Sequence, residues 1–177
     1  MALAEAILVC LTERPMSGYD LAKNFDASIG FFWRASHQQI YRELGRLREK
    51  GFVISEEVSQ DGKPNRIIHT LTPEGKKALR AWSTKPAKHP SIKDDMLVKF
   101  YALENMDIDA LKDQLTIRMD QHQTKLSKYN RIKQRFYDGK KLDLTGKGKL
   151  IVLEMGIEQE KDTIDRLQSM MLKLGAL

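Results

Sequence analysis

The stretch "FFWRASHQQIYRELGRLREKG", residues 31–51, decides the reading of this chain. Ser36 followed three residues later by Gln39 is a capping box, the side-chain pattern that closes the free N–H groups at a helix start. Ile40, Leu44 and Leu47 then repeat at i, i+4 and i+7, and Gly51 stands where a helix-closing glycine belongs. The spacing predicts a capped amphipathic helix over 36–50. At about 100° per residue, the face opposite the apolar stripe carries Gln38, Arg42, Gly45 and Glu49, with Arg46 to one side. From Phe31 to Lys50 there are five cations (Arg34, Arg42, Arg46, Arg48, Lys50) and two anions (Glu43, Glu49). Glutamine can pair bidentately with adenine and arginine with guanine, and N–H groups at an open helix start can meet a phosphate. The face therefore has the chemistry of a DNA-reading helix. Gly45 costs about 1 kcal/mol of helix propensity relative to alanine, but it lets the helix lie close to a duplex.

The flanking sequence supplies a scaffold for such a helix. "LAEAILVCLT" (3–12) places Leu3, Ile7, Leu8 and Leu11 on one face of a short helix that Pro15 ends. "SGYDLAKNF" begins a second helix, with Ser17 as N-cap, Asp20 near the positive end, Leu21 and Phe25 inward, and Gly30 closing it. "FVISEEVSQDGKPNRIIHTLT" reads as a β-hairpin turning at Asp61-Gly62 and Pro64. "TPEG" opens a fourth helix capped by Thr72, with Ala78, Leu79 and Trp82 as its buried face. Helix, helix, helix, hairpin, helix is the order of a winged helix-turn-helix. "STKPAKHP" (83–90) marks a linker, and a helical half follows it. That half is a short helix over 94–103, a long one from Asp107 to about Tyr137, a glycine- and lysine-rich loop "DGKKLDLTGKGK" (138–149), and a last helix. Apolar residues of both long helices recur at heptad-like intervals, with His122 filling one gap. The expected fold class is mainly α with a small β-wing: a winged helix-turn-helix at 1–85, a linker at 86–92 and a coiled-coil-like helical dimerisation domain at 93–177.

Composition narrows the function classes. Of 177 residues, 41% are hydrophobic and 31% charged, and the net charge is +6. Divided after residue 85, the chain carries 13 Lys+Arg against 10 Asp+Glu, then 17 against 14, so each half nets +3 and no basic tail exists. The +3 of the 31–50 window equals the whole excess of its half, so position rather than bulk charge carries the DNA argument. One cysteine, Cys10, excludes an internal disulfide, and its apolar surroundings predict a buried small hydrophobe. The start of the chain lacks a signal-peptide pattern, no stretch approaches a membrane span, and the expectation is a cytoplasmic protein. The four histidines (37, 69, 89, 122) are too dispersed for a metal motif. "GKGK" at 146–149 lacks phosphate-loop spacing and is expected as a solvated turn. Neither a cofactor nor an enzymatic activity is expected.

The run "SGYDLAKNF…IGFFWRASHQQIYRELGRLREKGFV…GKPNRIIHTLTPEGKKAL" resembles the PadR family of transcriptional regulators over residues 1 to about 90. It is most similar to the subgroup with a long helical C-terminal half, which includes virulence-gene activators. The resemblance implies a DNA-binding dimer joined by its C-terminal helices. It places DNA contact on the helix beginning at Ser36 and on the wing around Lys63 and Arg66, with Tyr19 near the backbone. Family wings often read Arg-Lys-x-Tyr; here Arg66 is followed by Ile67 and His69, so one wing cation and one phenol are missing.

Together the expectations are these. His37, Gln38, Gln39 and Arg42 read base edges. Tyr19, Lys23, Ser36, Arg46, Lys63 and Arg66 touch the backbone. Leu111, Leu115, Leu126, Leu153, Ile157, Ile164, Leu167 and Met171 form the seam of a homodimer on a roughly palindromic operator in double-stranded DNA. Phe31 to Trp33 plug the interior, while Phe32 and Trp33 are alternatively the lining of a pocket for a small aromatic effector. Two rival readings stay open: a ligand-responsive repressor, and a winged-helix interaction module that no longer binds DNA. A second regulator protein is a further candidate partner.

Overall fold

The computed structural model describes residues 2–27, 35–60, 63–87 and 93–176. They form two compact units, residues 1–90 and 91–177. The expected turn at Asp61-Gly62 and the helix end near Gly30 lie outside the described residues.

In the first unit, α1 (Ala2–Leu11), α2 (Gly18–Ala27), α3 (His37–Glu49) and α4 (Pro73–Ser83) surround a core of Ile7, Leu8, Leu11, Leu21, Phe25, Ile40, Leu44 and Leu47. These are the inward positions expected of the first three helices. Cys10 joins the core. A three-stranded antiparallel sheet packs beside the helices, with β1 (Met16–Ser17), β2 (Val53–Gln60) and β3 (Lys63–Leu71) in the order β1-β3-β2. In register, Met16 faces His69, Val53 faces Leu71 and Gln60 faces Lys63, with a bulge between Val58 and Gln60. Strand β1 was not expected, because two residues are too short for any periodicity to announce them.

The helix ends follow local chemistry. At α3, Ser36 Oγ accepts from the Gln39 N–H at 3.2 Å, and Gln39 Oε1 accepts from the Ser36 N–H at 2.8 Å. At its other end Gly51 adopts φ +69°, and the N–H groups of Gly51 and Phe52 donate to the carbonyls of Arg48 and Leu47. That is a Schellman closure, and it sends the chain directly into β2. Helix α4 departs from expectation: Gly75 is its buried residue, and Trp82 is 41% exposed.

In the second unit α5 (Asp95–Tyr101) is followed by a single 3-10 turn (Leu103–Asn105) and a hairpin of two long helices, α6 (Ile108–Phe136) and α7 (Leu144–Gly175). Met96 of α5 packs with Leu111, Leu115, Leu167 and Leu174. Arg118 fastens α5 to α6 by donating at 2.8 and 2.6 Å to the two oxygens of Asp94, the α5 N-cap. Those hydrogen bonds hold the Asp94 carboxyl below its ordinary range. The expected loop at 138–149 is shorter, because "LTGKGK" is the start of α7 rather than a solvated turn. Asp143 caps it, accepting from the Gly146 N–H at 2.7 Å, and this offsets part of the glycines' poor helix propensity. No helix among the described residues is long and apolar enough to cross a membrane.

One buried charge sits in the hairpin. Glu160 is 6% exposed between Ile157 and Ile164; it meets His122 Nδ1 and accepts from Lys125 Nζ at 2.8 Å. Burial pushes its carboxyl up, but the hydrogen bonds from Lys125 and His122 outweigh this and hold it below the ordinary range. A lowered carboxyl contributes stability above its unfolded value, about 4.3. The contribution is lost as pH falls through the lower folded value. Glu160→Gln is therefore expected to cost about 1.5–3 kcal/mol at pH 7, the worth of a hydrogen bond to a charged group. It should also flatten the acid loss of stability below pH ~4.3. Urea unfolding between pH 7 and 3 measures both; an unchanged pH profile would show that the pair is not coupled to folding.

Candidate nucleic-acid interface

Because Ile40, Leu44 and Leu47 are anchored in the core, the opposite side of α3 is turned to solvent. Gln38 and Arg42 are exposed there, His37 is exposed on the flank at the first turn, and among the described residues no carboxylate pairs with Arg42. A side chain added at Gly45 would meet nothing within 4 Å. Gln39 and Ser36 are exposed, but both take part in the capping box, so Gln39's carbonyl is engaged and only its amide N–H groups are left to read a base. Arg46 pairs with Glu43 at 3.1 Å, an exposed i,i+3 contact of small energetic weight.

The wing and α2 are joined at one point. The Asp20 N–H donates to Ser17 Oγ at 3.1 Å, and Ser17 Oγ donates to the Asp20 carboxylate at 2.9 Å. Arg66 of β3 reaches the same group, donating to Ser17 Oγ at 3.0 Å and to the Asp20 carboxylate. Arg66, expected as a phosphate cation, is thus an ion-pair bridge that sets the wing against the start of α2. Tyr19 is 62% exposed beside this bridge, and Lys23 is exposed one turn on. The backbone of Lys63 lies in β3, but its side chain falls outside the described residues, as do Phe32 and Trp33 altogether.

Between α3 and the wing runs an open groove of about 820 Å³, lined among others by Tyr19, Tyr41, Arg48, Asn65, Arg66 and His69. The Tyr41 ring lies so close to Gly18 that any side chain there would overlap it. His69 is buried in the middle strand and hydrogen-bonded through Nδ1 to Ser55 Oγ at 2.9 Å. Burial, and then the charge of Arg48, push its imidazole below the ordinary value. Tyr41 and Arg48 escaped the sequence reading because they lie on the flank of α3, between the stripe and the face opposite it. Their i, i+7 spacing was the available signal.

The expected dimer seam needs correction. Leu111, Leu115, Leu126, Leu153, Ile157, Ile164 and Leu167 are buried inside the chain's own α6–α7 hairpin, and Met171 is half-buried against the same core. Heptad spacing reports that a helix has a partner, and here the partner is intramolecular. The apolar residues left outward are others. On α7 they include Leu144 (87% exposed), Ile151 (59%) and Met155 (63%), on the side opposite Leu153 and Ile157.

A capped, outward-facing α3 set in three helices and flanked by a β-wing is the architecture of a winged helix-turn-helix transcriptional regulator. The chain belongs to the PadR-like family of such regulators: residues 7–81 match the Transcriptional regulator PadR-like family, and residues 92–174 match Virulence activator alpha C-term. It is 36% identical over 178 residues to the "Probable transcriptional regulator Rv1176c" of Mycobacterium tuberculosis, covering 94% of each chain. The structure of Bacillus subtilis PadR in complex with operator DNA superposes with a TM-score of 0.83 at 29% identity, covering 98% of this chain and 99% of that one. The same protein in complex with p-coumaric acid gives 0.77 at 28%, covering 99% of each. The Vibrio cholerae virulence activator AphA gives 0.78 at 28%, covering 98% of each.

Proposed function

We propose that the chain acts as a homodimer on a roughly palindromic operator, with α3 in the major groove and the wing on the backbone. The observation that carries this is the outward pair Gln38 and Arg42, with exposed His37 beside them at the first turn, on a helix whose two ends are both closed by side-chain and backbone caps. Unpaired donors held on a rigid helix lose little freedom on meeting a base edge. Tyr19, Lys23 and Ser36 support the same orientation from the backbone side. A dimer presents two such helices to half-sites one or more helical turns apart. Its seam, in this proposal, is the outward row of α7. The operator-bound structure of the B. subtilis protein supports DNA as the partner, and a DNA-bound regulator would act in the cytoplasm.

Arg42→Ala is expected to weaken binding to the preferred duplex by about 1–3 kcal/mol and to relax its sequence preference. Titration of selected and scrambled duplexes, followed by fluorescence anisotropy, gives both numbers. Unchanged discrimination would remove α3 from the major groove, and no binding to any duplex at low salt would favour the interaction-module reading. A second reading, ligand responsiveness, is favoured by the p-coumaric acid complex of the B. subtilis protein, which points to a small aromatic acid as the class of effector.

A further inference from the structure

We propose that the groove between α3 and the wing seats one sugar–phosphate strand of the duplex, with Arg48 as the cation that holds its phosphate. This rests on the proposed placement of α3 in a major groove. A recognition helix in the major groove and a wing on the flanking backbone meet at the edge of that groove, and the ridge that forms this edge is a sugar–phosphate strand. The cleft separating the two elements has to face that ridge.

The lining suits this occupant. Two arginines stand against one aspartate, and Arg66 is already bound to Asp20 and Ser17. Arg48 has no carboxylate partner among the described residues. Its described electrostatic neighbour is His69, whose imidazole burial and then Arg48 push below its ordinary value. Among the described residues that line the groove, Arg48 is thus a cation without a carboxylate, which a phosphate would satisfy. Tyr19 and Tyr41, 62% and 50% exposed, offer ring faces to sugars and hydroxyl donors to phosphate oxygens. Gly18 leaves room for the Tyr41 ring, and Gly45 leaves the α3 wall without a side chain to obstruct the strand. The Ser17–Asp20–Arg66 bridge then has a definite part: it holds the spacing between the groove's two walls rather than touching the phosphate.

The experiment uses the full chain and the tightest duplex it recovers from a randomised DNA pool. Phosphate-ethylation interference and the salt dependence of binding are measured for the wild type, Arg48→Gln, Arg48→Lys and, as an exposed charge-matched control on α4, Arg80→Gln. In the wild type, interfering phosphates are expected on the strand between the bases read by α3 and the wing. Arg48→Gln should erase the interference at one of them in each half-site. It should also reduce the slope of log K against log salt by about 0.9 for each arginine engaged, and weaken selected and random duplexes by the same factor. Arg48→Lys should keep most of the slope, and Arg80→Gln should change neither readout. If Arg48→Gln, folded by circular dichroism, leaves slope and interference unchanged while Arg42→Ala still relaxes sequence preference, the groove assignment is overturned and the proposed function stands. A loss confined to one sequence would also overturn it, by making Arg48 a base reader. If the wild type recovers no duplex, both fall together.

Discussion

Gly75→Ala is expected to destabilise the winged-helix unit by about 3 kcal/mol, the upper part of the range for forcing an added group into a packed site. A Cβ at Gly75 would overlap the carbonyl oxygen of Phe52 and approach Leu71 Cδ1 to 2.6 Å. The obstacle is backbone, so no side-chain rotation relieves it. That same carbonyl accepts from the Thr72 N–H at 3.1 Å, and Thr72 Oγ1 both accepts from the Gly75 N–H at 3.0 Å and donates to the Gly51 carbonyl at 2.8 Å. Displacing Phe52 would disturb the α4 cap and the Schellman closure of α3 together, so the loss would reach the proposed recognition helix. Gly45→Ala is the internal contrast: its Cβ meets nothing, and alanine is favoured over glycine by about 1 kcal/mol in a helix. It should raise stability. Thermal and urea unfolding would separate the two, and equal effects would contradict the packing account of Gly75.

The second large effect is expected at the outward row of α7. Its first half is apolar on two sides: Leu153 and Ile157 face α6, while Leu144, Ile151 and Met155 face away. A helix that is apolar all round is normally buried all round. In the proposed dimer, the double variant Ile151→Asp, Met155→Asp would remove four apolar side chains across the two-fold, each worth about 1.5–3 kcal/mol. That is at least ~6 kcal/mol, or roughly four decades in the dissociation constant. The hairpin core is untouched by these positions, so helical content should persist. Sedimentation over a concentration series should show a folded monomer that has lost most of its operator affinity. A dimer of undiminished strength would locate the seam elsewhere.

The two halves of the chain differ in how far sequence carries the reading. In the winged unit, the caps and core positions of α3 were legible because one helix face must be buried and caps have fixed side-chain requirements, whereas Tyr41 and Arg48 on its flank were not. Ser36 and Gln39 form the expected capping box, Ile40, Leu44 and Leu47 the expected buried stripe, and Gly51 the expected helix closure. The partnership of Arg66 with Asp20 was not legible, since it joins residues 46 apart in sequence across a strand and a helix start. The same holds for β1, which exists only because β3 lies beside it. In the helical unit, spacing identified the buried residues correctly but not their partner: an antiparallel hairpin and an intermolecular coil ask for the same heptad pattern. His122 was recognised as the gap in the α6 seam, yet its counterpart Glu160 was missed. A charged residue three positions after Ile157 and four before Ile164 was the signal, and it reads as an ordinary surface glutamate until the facing helix is known.

The central claim, that α3 lies in the major groove with Arg42 reading a base, is tested most directly by guanine N7 methylation interference. The probe is the duplex selected by the wild-type chain. Arginine recognises guanine through O6 and N7, both on the major-groove edge. N7 methylation at a guanine in each half-site is expected to block the wild type, and Arg42→Ala is expected to be indifferent to that same methyl group. Interference confined to minor-groove adenine N3, or a guanine signal that Arg42→Ala leaves intact, would contradict it.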